Sequence, residues 1–210
     1  ICHTPYTGIT LGWGWDIVDT ECTKNNTVSN NYIHDTGKTT HDGACVYTLG
    51  DQPGSRIIGN YVLRHSDGQN DKDAGLYLDE GTVGIEISEN VVGEGVYWWS
   101  TMWTSSIQDN YWHDNFHSVE RERDNGTNNR MENNTFVPDG DFSKYPAAQK
   151  IIDNAGLLDP AVKNGIPEGC SSKHSRPLIP YPDGASYLFG NPQGLLSFRI
   201  PDQIGNTQYD

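Results

Sequence analysis

The chain has 210 residues, and 14 Lys and Arg side chains stand against 28 Asp and Glu, for a formal net charge of −14. This length predicts one core-bearing domain rather than two large ones. The acidic balance excludes nucleic acid as a main partner, since phosphate binding needs a basic face. No apolar run reaches the roughly 20 residues of a membrane span, so no membrane contact is expected.

The composition favours an all-β domain of short strands and tight turns. Gly occurs 23 times and Asn is also frequent, and these two residue types most readily adopt left-handed backbone conformations. Strong helix formers are scarce. The 6 Trp and 11 Tyr side chains are too many aromatic residues for a disordered chain.

A short motif, asparagine followed by aromatic or apolar residues, recurs about every 20 to 30 residues. Its copies are Asn31-Tyr32-Ile33, Asn60-Tyr61-Val62, Asn90-Val91-Val92, Asn110-Tyr111-Trp112 and Asn134-Thr135-Phe136. Strand-like runs precede the copies, and the repeat contains no helical segment. Residues 1–140 are therefore predicted to form a right-handed parallel β-helix, a solenoid in which the asparagines form a ladder from coil to coil.

A second motif predicts the register of the coils. Its copies are Val46-Tyr47, Leu76-Tyr77, Val96-Tyr97 and Phe116-His117. Because strand side chains alternate between faces, the second residue of each copy is expected to point outward, in one column with Thr10. Another outward column is expected beside Asp79; it comprises Trp13, Gly50, Glu80, Ser100 and Glu120. Inserted loops at residues 38–43 and 66–74 are expected to wall a groove over these columns.

The repeat fades beyond residue 140. Residues 144–158 show a short amphipathic pattern that predicts one helix. The Pro- and Gly-rich remainder of 141–210 is predicted to be an irregular tail that caps the coils or packs along them. At the other end, the sequence opens without a signal peptide, and Ile1 is predicted to enter in mid-solenoid. A preceding segment or separate chain is therefore expected to complete the β-helix.

Cysteine usage and glycosylation sequons favour a secreted glycoprotein. The four cysteines show no CxxC spacing, which argues against a zinc site. Asn-x-Thr sequons begin at Asn25, Asn125 and Asn133, and such sequons are glycosylated on the surfaces of secreted proteins. The acidic stretch 67–73 could hold a structural Ca²⁺ but is more simply a solvated loop. No cofactor or metal is expected to be required.

Three blocks in a fixed order carry a family resemblance. They are Gly8-Ile9-Thr10-Leu11-Gly12-Trp13-Gly14-Trp15, then Asp42-Gly43-Ala44-Cys45-Val46-Tyr47-Thr48-Leu49-Gly50-Asp51-Gln52-Pro53-Gly54, then Gly75-Leu76-Tyr77-Leu78-Asp79-Glu80-Gly81. Over residues 6–136 the chain resembles right-handed parallel β-helix carbohydrate-active enzymes, most closely glycoside hydrolase family 141, which contains α-L-fucosidases and xylanases. That family usually has Asp-Asp-Gly-Gly at the start of the second block, where this chain has His41-Asp42-Gly43-Ala44.

The resemblance implies a glycosidase with two carboxyl groups, carried over to Asp42 and to an acid of the Asp79-Glu80 pair. One carboxyl group must protonate the leaving oxygen while the other, ionised, acts as nucleophile or base. A straight strand would separate Asp42 from Asp79 by roughly 23 Å, so the pair requires Gly43 to break the strand and a loop to fold Asp42 back. Asp51, about 8 Å from Asp79 by the same count, is the reserve candidate.

Several side chains are candidates for substrate binding. The set comprises Trp13, Trp15, His41, Tyr47, Asp51, His65, Tyr77, His117 and Glu120. Aromatic rings stack on sugar rings, and histidines in loops can hydrogen-bond sugar hydroxyl groups. The alternative is that the aromatic column only stabilises the sheet.

The leading prediction is a secreted glycoside hydrolase acting on a plant or microbial polysaccharide or oligosaccharide. A polysaccharide lyase or epimerase on the same fold would need a Lys or Arg base and cations opposite uronate carboxylates, which an acidic groove disfavours. A non-catalytic carbohydrate-binding or adhesin solenoid would need only the outward aromatic column.

Overall fold

The computed structural model of the chain describes residues 1–12 and 23–156, together with the backbone of strands Ser186–Phe189 and Leu196–Arg199. The chain divides into two compact units, Ile1–Cys170 and Ser171–Asp210. The strands of the first unit are β1 Ile9–Leu11, β2 Thr27–Ser29, β3 Tyr32–Thr36, β4 Gly43–Thr48, β5 Arg56–Ile58, β6 Tyr61–His65, β7 Asp73–Leu78, β8 Glu86–Ser88, β9 Val91–Val92, β10 Trp98–Met102, β11 Tyr111–His113, β12 Phe116–His117, β13 Glu122–Asp124, β14 Arg130–Glu132 and β15 Thr135–Phe136.

These strands form three parallel sheets of five strands each. Sheet I contains β1, β4, β7, β10 and β13; sheet II contains β2, β5, β8, β11 and β14; sheet III contains β3, β6, β9, β12 and β15. Neighbouring strands are three apart in chain order, so each coil contributes one strand to each sheet before the next coil begins. The predicted all-β parallel β-helix is confirmed.

The coils enclose a continuous apolar core. Inward side chains stack in register from coil to coil, as Val28, Ile57, Ile87 and Trp112 do along sheet II. Burying an apolar side chain of this size contributes about 1.5–3 kcal/mol relative to exposure. The repetition of inward apolar residues is therefore what makes each added coil favourable.

An asparagine ladder runs along the corner between sheets II and III, as predicted, but with one member changed. Its members are Asn31, Asn60, Asn90, Asn115 and Asn134, whose side-chain amides donate to the next side-chain oxygen at 2.9–3.0 Å. Asn110 instead belongs to the corner between sheets I and II, where its amide donates to Asn129 at 3.1 Å. Its predicted place in the ladder is therefore wrong.

The register of sheet I corrects the predicted outward column. Tyr47 pairs with Tyr77 as expected, but the next members are Thr101 and Arg123. Tyr97 and His117 do not belong to this column. His117 lies in sheet III beside Val92 and stacks on the core ring of Trp99, with 4.3 Å between ring centroids.

The second predicted column holds for Gly50, whose amide donates to the Glu80 carbonyl at 3.1 Å, but it fails for the same reason at Ser100 and Glu120. Ser100 pairs with Leu76 rather than lying beside Glu80, and Glu120 precedes strand β13, on the exposed surface. Leu78 pairs with Met102 of β10, and the residue after Met102 is Trp103. Trp103 therefore occupies, on this coil, the position next to Asp79.

A short helical segment packs on the outer face of sheet III. A 3₁₀ helix, Phe142–Lys144, is followed by α1, Pro146–Asn154, within the predicted range. Phe142 and Ala148 pack against Val91 of the sheet, and the Gly156 amide donates to the Asn30 carbonyl at 2.8 Å. The segment thus crosses the coils from the last strand back toward β3. Among the described residues, no helix has both the length and the apolar character that a membrane crossing requires.

The described residues of the second unit form an antiparallel strand pair, β16 Ser186–Phe189 with β17 Leu196–Arg199. The tail predicted to be irregular therefore includes a strand pair. Its capping role stays a prediction.

Candidate active site

A cleft of about 320 Å³ opens on the outer face of sheet I. Its walls are formed by Asp42, Asp71, Lys72, Tyr77, Asp79, Glu80, Trp103 and Arg123. Most of these residues lie just outside the strands: Asp42 directly precedes β4, whereas Asp79 and Trp103 directly follow β7 and β10. The three predicted catalytic residues, Asp42, Asp79 and Glu80, therefore line one cleft.

Asp79 is held by donors from three directions. Its side chain is buried, and it accepts hydrogen bonds from the Tyr47 hydroxyl, from Trp103 Nε1 and, at 2.8 Å, from the Glu80 backbone amide. The indole and amide groups can only donate, and both meet Oδ1, so this oxygen acts as an acceptor. Three donors around one carboxylate fix its orientation and suit a negative charge.

Tyr47 and Tyr77 connect the two ends of the cleft. They lie side by side on β4 and β7, with ring centroids 5.2 Å apart at 73°. The Tyr47 hydroxyl donates to Asp79, whereas the Tyr77 hydroxyl lies 3.4 Å from Asp42 Oδ1. Burial and the nearby carboxylates raise the pKa of both phenols. The pair therefore bridges two acids that the strand register places at opposite ends of β4 and β7.

Asp42 reaches the cleft because the backbone bends at this residue. Its φ of 67° is left-handed, its amide donates to Asp73 Oδ1 at 2.9 Å, and its carbonyl accepts from the Tyr6 hydroxyl at 2.6 Å. Gly43 is the regular first residue of β4, so the expected break at Gly43 is wrong and the bend lies one residue earlier.

The surroundings of Asp42 favour its protonated form. The side chain is open to the cleft, but partial burial, followed by the charge of Asp79, raises the pKa of the Asp42 carboxyl group. Lys72 and the Tyr77 hydroxyl act in the opposite direction without reversing the shift. Asp42 and Asp79 thus have contrasting environments within one cleft.

His41 and His65 contact Asp73 rather than lining the cleft. His41 is half exposed, and its Nδ1 lies 2.7 Å from Asp73 Oδ2. His65 is the last residue of β6 and fully buried, so its predicted place in an exposed loop, within reach of a sugar, is wrong. Its Nδ1 lies 2.7 Å from Thr36 Oγ1, and its Nε2 lies 3.6 Å from Asp73 Oδ1.

Other predicted binding residues lie away from the cleft. Asp51 forms a bridge with Val83 and is not part of the cleft wall, while His117 lies in sheet III and Glu120 is exposed just before β13. Trp13 and Trp15 lie outside the described residues.

The sequence reasoning missed Trp103, Lys72, Arg123 and Asp71. Trp103 is 39% exposed at the cleft rim although its Nε1 is bonded to Asp79. Arg123 extends over the Trp98 ring at 4.7 Å and donates from Nη2 to the Asp71 carbonyl at 2.9 Å. Correct register in sheet I would have found Trp103 and Arg123, because they follow the columns of Asp79 and Tyr77.

Several side-chain oxygens of the 67–73 stretch accept hydrogen bonds within the protein. Asp67 Oδ1 and Asn70 Oδ1 each accept a nearby backbone amide at 3.0 Å, and Asp73 binds His41 and Asp42. In the described part of the chain, no group of three or more His, Cys, Asp or Glu side chains is arranged to hold a metal ion. The expectation that no metal is required stays a prediction.

Comparisons with known proteins find a similarity among solved structures. No protein-family model matches the chain, and no curated protein matches it. Among solved structures the chain is similar to one described as a glycoside hydrolase, with 29% sequence identity and a TM-score of 0.48. The match covers 78% of this chain and 22% of the other, so this chain spans about a fifth of the length of that protein.

Proposed function

We propose that the cleft hydrolyses glycosidic bonds, with Asp42 as the proton donor and Asp79 as the ionised carboxylate. The observation that carries this proposal is the contrast between the two acids. Burial and a neighbouring negative charge raise the pKa of Asp42, whereas three donors surround Asp79. Two carboxyl groups with separate environments are what acid-assisted glycoside cleavage requires.

The reaction would proceed as follows. The Asp42 carboxyl group gives its proton to the glycosidic oxygen as the bond from that oxygen to the anomeric carbon breaks. The Asp79 carboxylate either attacks the anomeric carbon or takes a proton from an attacking water molecule. Direct attack gives a covalent sugar ester that water then hydrolyses, and Asp42 recovers its proton from that water. The anomeric form of the first product distinguishes the two routes.

Substrate contact would come from the aromatic and acidic rim. The exposed indole face of Trp103 can stack on a sugar ring, while its Nε1 holds Asp79. Glu80 also lines the cleft. The finer assignment to a family 141-like enzyme of plant or microbial polysaccharides rests on the three sequence blocks.

The test is hydrolysis of a panel of aryl glycosides and neutral polysaccharides. We expect sugar release by the wild type and loss of release in Asp79→Asn and Asp42→Asn, each checked for folding by circular dichroism. Asp51→Asn is the matched control, because it neutralises an acid on the same coil, away from the cleft, and should keep full activity. Sugar release by a folded Asp79→Asn variant would reject the assignment. No release by the wild type would favour the non-catalytic carbohydrate-binding solenoid.

A second candidate, a polysaccharide lyase or epimerase on the same fold, has one specific observation in its favour. Lys72 and Arg123 line the cleft, and within residues 1–12 and 23–156 neither forms an ion pair with a carboxylate. Cations so placed suit the carboxylate of a uronic acid. Lyase action on a uronate polymer would consume no water and would give an unsaturated sugar that absorbs ultraviolet light. Hydrolysis consumes water and gives no such absorbance.

We infer that the protein is a secreted glycoprotein. Cys2 is disulfide-bonded, and disulfides persist in oxidising compartments. The sequon residues Asn25, Asn125 and Asn133 are all exposed. Enzymatic removal of N-glycans should lower the mass of the native secreted protein, whereas an unchanged mass would reject this assignment.

A further inference from the structure

Asp73 is a buried carboxylate behind the cleft that no substrate atom needs to touch. It is the first residue of β7 and has no exposed surface. One oxygen accepts the Asp42 amide at 2.9 Å and the other faces His41 Nδ1 at 2.7 Å. The buried His65 Nε2 lies 3.6 Å from Oδ1.

The partners of Asp73 explain why a charge is kept here. A buried carboxylate loses solvation worth several kcal/mol and persists only with close partners. Burial alone would raise the pKa of Asp73, but the His65 and His41 rings outweigh it, so the pKa lies below its usual range. Two of the close contacts, to His41 and to the Asp42 amide, come from the segment that brings Asp42 to the cleft.

The bend at Asp42 needs such an anchor. A non-glycine residue with positive φ costs roughly 1–3 kcal/mol and persists where its surroundings over-determine it. Asp42 has a φ of 67°, and a relaxed, extended Asp42 would continue the line of β4 away from Asp79. The Asp73 hydrogen bond and the Tyr6 hydroxyl together fix the bent backbone.

We propose that Asp73 is the positioning residue of the cleft, holding Asp42 in its bent conformation and setting the charge behind it. This inference rests on the proposed role of Asp42 as proton donor. Burial and the negative charges of Asp79 and Asp73 raise the pKa of the Asp42 carboxyl group. The Lys72 charge and the Tyr77 hydroxyl lower that pKa. Loss of the Asp73 charge therefore moves the pKa of Asp42 downward.

Asp73→Leu, which removes the charge and both acceptor oxygens at similar side-chain volume, tests the proposal, and Asp67→Asn is the control for loss of a charge from the same loop. Asp67 is an exposed acid of the same loop whose Oδ1 accepts the Gln69 amide at 3.0 Å, a contact that asparagine keeps. We expect Asp73→Leu to lower kcat roughly 10- to 100-fold, the usual loss when a supporting contact is removed, with KM nearly unchanged. A general acid is active only while protonated, so the high-pH limb of kcat/KM should move to lower pH. The control should match the wild type in both respects.

Two measurements decide the proposal without activity. The Asp42 amide should exchange slowly with solvent deuterium in the wild type and faster in Asp73→Leu, which has no acceptor at this position, and carboxyl NMR should show a lower Asp42 pKa in the variant. Unchanged exchange and titration in a folded Asp73→Leu variant would overturn the proposal. If that variant does not fold, the wild type alone decides: fast exchange of its Asp42 amide would overturn the proposal, and slow exchange would support the proposal. A wild type without hydrolase activity would reject the proposed function while leaving these readouts decisive.

Discussion

The hydroxyl group of Tyr47 offers the sharpest test of how the cleft is held together. Tyr47→Phe removes one oxygen and keeps the ring, so packing against Tyr77 at 5.2 Å remains. The lost hydroxyl donates to Asp79 Oδ2, whereas the Trp103 and Glu80 donors both meet Oδ1. The substitution therefore strips a donor from one oxygen of a buried carboxylate.

The expected cost follows from that burial. A hydrogen bond to a charged group contributes about 1.5–3 kcal/mol, and its removal leaves a buried acceptor unpaired. Tyr77→Phe is the matched control, since both tyrosines are buried on neighbouring strands. The Tyr77 hydroxyl lies 3.4 Å from Asp42 Oδ1, longer than a good O–H···O bond, and Asp42 is open to the cleft. Tyr77→Phe should therefore cost less than about 1 kcal/mol.

Urea denaturation of both variants measures the difference. Tyr47→Phe should lower the free energy of unfolding by about 1.5–3 kcal/mol. If the proposed hydrolysis is correct and the transition state loses the same free energy as the folded state, kcat should fall roughly 10- to 100-fold, since about 1.4 kcal/mol is a tenfold change. Equal stability losses in the two variants would refute the claim that Tyr47 supports Asp79 through its hydroxyl.

Three further predictions concern stability and reactivity. Asn90→Ala interrupts the buried ladder and should cost about 2–4 kcal/mol in urea denaturation, against under about 1 kcal/mol for Asn31→Ala at the half-buried end; equal costs would contradict a continuous ladder. Burial opposes ionisation of Asp35, but Arg64 outweighs it and holds the pKa of that carboxyl group well below its usual range. Its stabilising effect should be present above about pH 4 and lost as the pH falls, so Asp35→Asn should flatten the acid side of a stability–pH curve; an unchanged slope would count against the ion pair. Burial raises the pKa of the Cys45 thiol to about 12, so an alkylating reagent should label Cys45 only after denaturation, and labelling of the native protein would show that the coils open.

The fold could be predicted from sequence because the corner asparagines repeat, but the register could not be carried into the fourth coil, which contains β10, β11 and β12. Asn110 and Asn115 lie five residues apart, as Asn129 and Asn134 do, and each pair marks two different corners of one coil. The aromatic residue after Asn110 imitates the motif of the other corner. Matching on that residue shifted sheet I, so that Tyr97 was placed where Thr101 belongs and His117 where Arg123 belongs.

The site could be predicted only as far as local pattern reaches. Asp79 follows a strand whose alternation is plain, so its outward position was accessible. The bend at Asp42 was not, because the groups that stabilise it, Tyr6 and Asp73, lie far away in sequence. Likewise, the loop histidine His65 becomes the buried end of β6 only when Thr36 and Asp73 close around it.

The cleft depends on where the chain departs from the repeating coil. Inside the strands, hydrogen bonds and core packing fix each residue to its column, so a strand position offers little freedom to aim a side chain. Asp42 precedes a strand, whereas Asp79 and Trp103 follow strands on successive coils, and each is held by a contact to a neighbouring coil. A solenoid can therefore vary the length of its connecting loops without disturbing the core. In this chain such variation places two acids and an indole around one cleft.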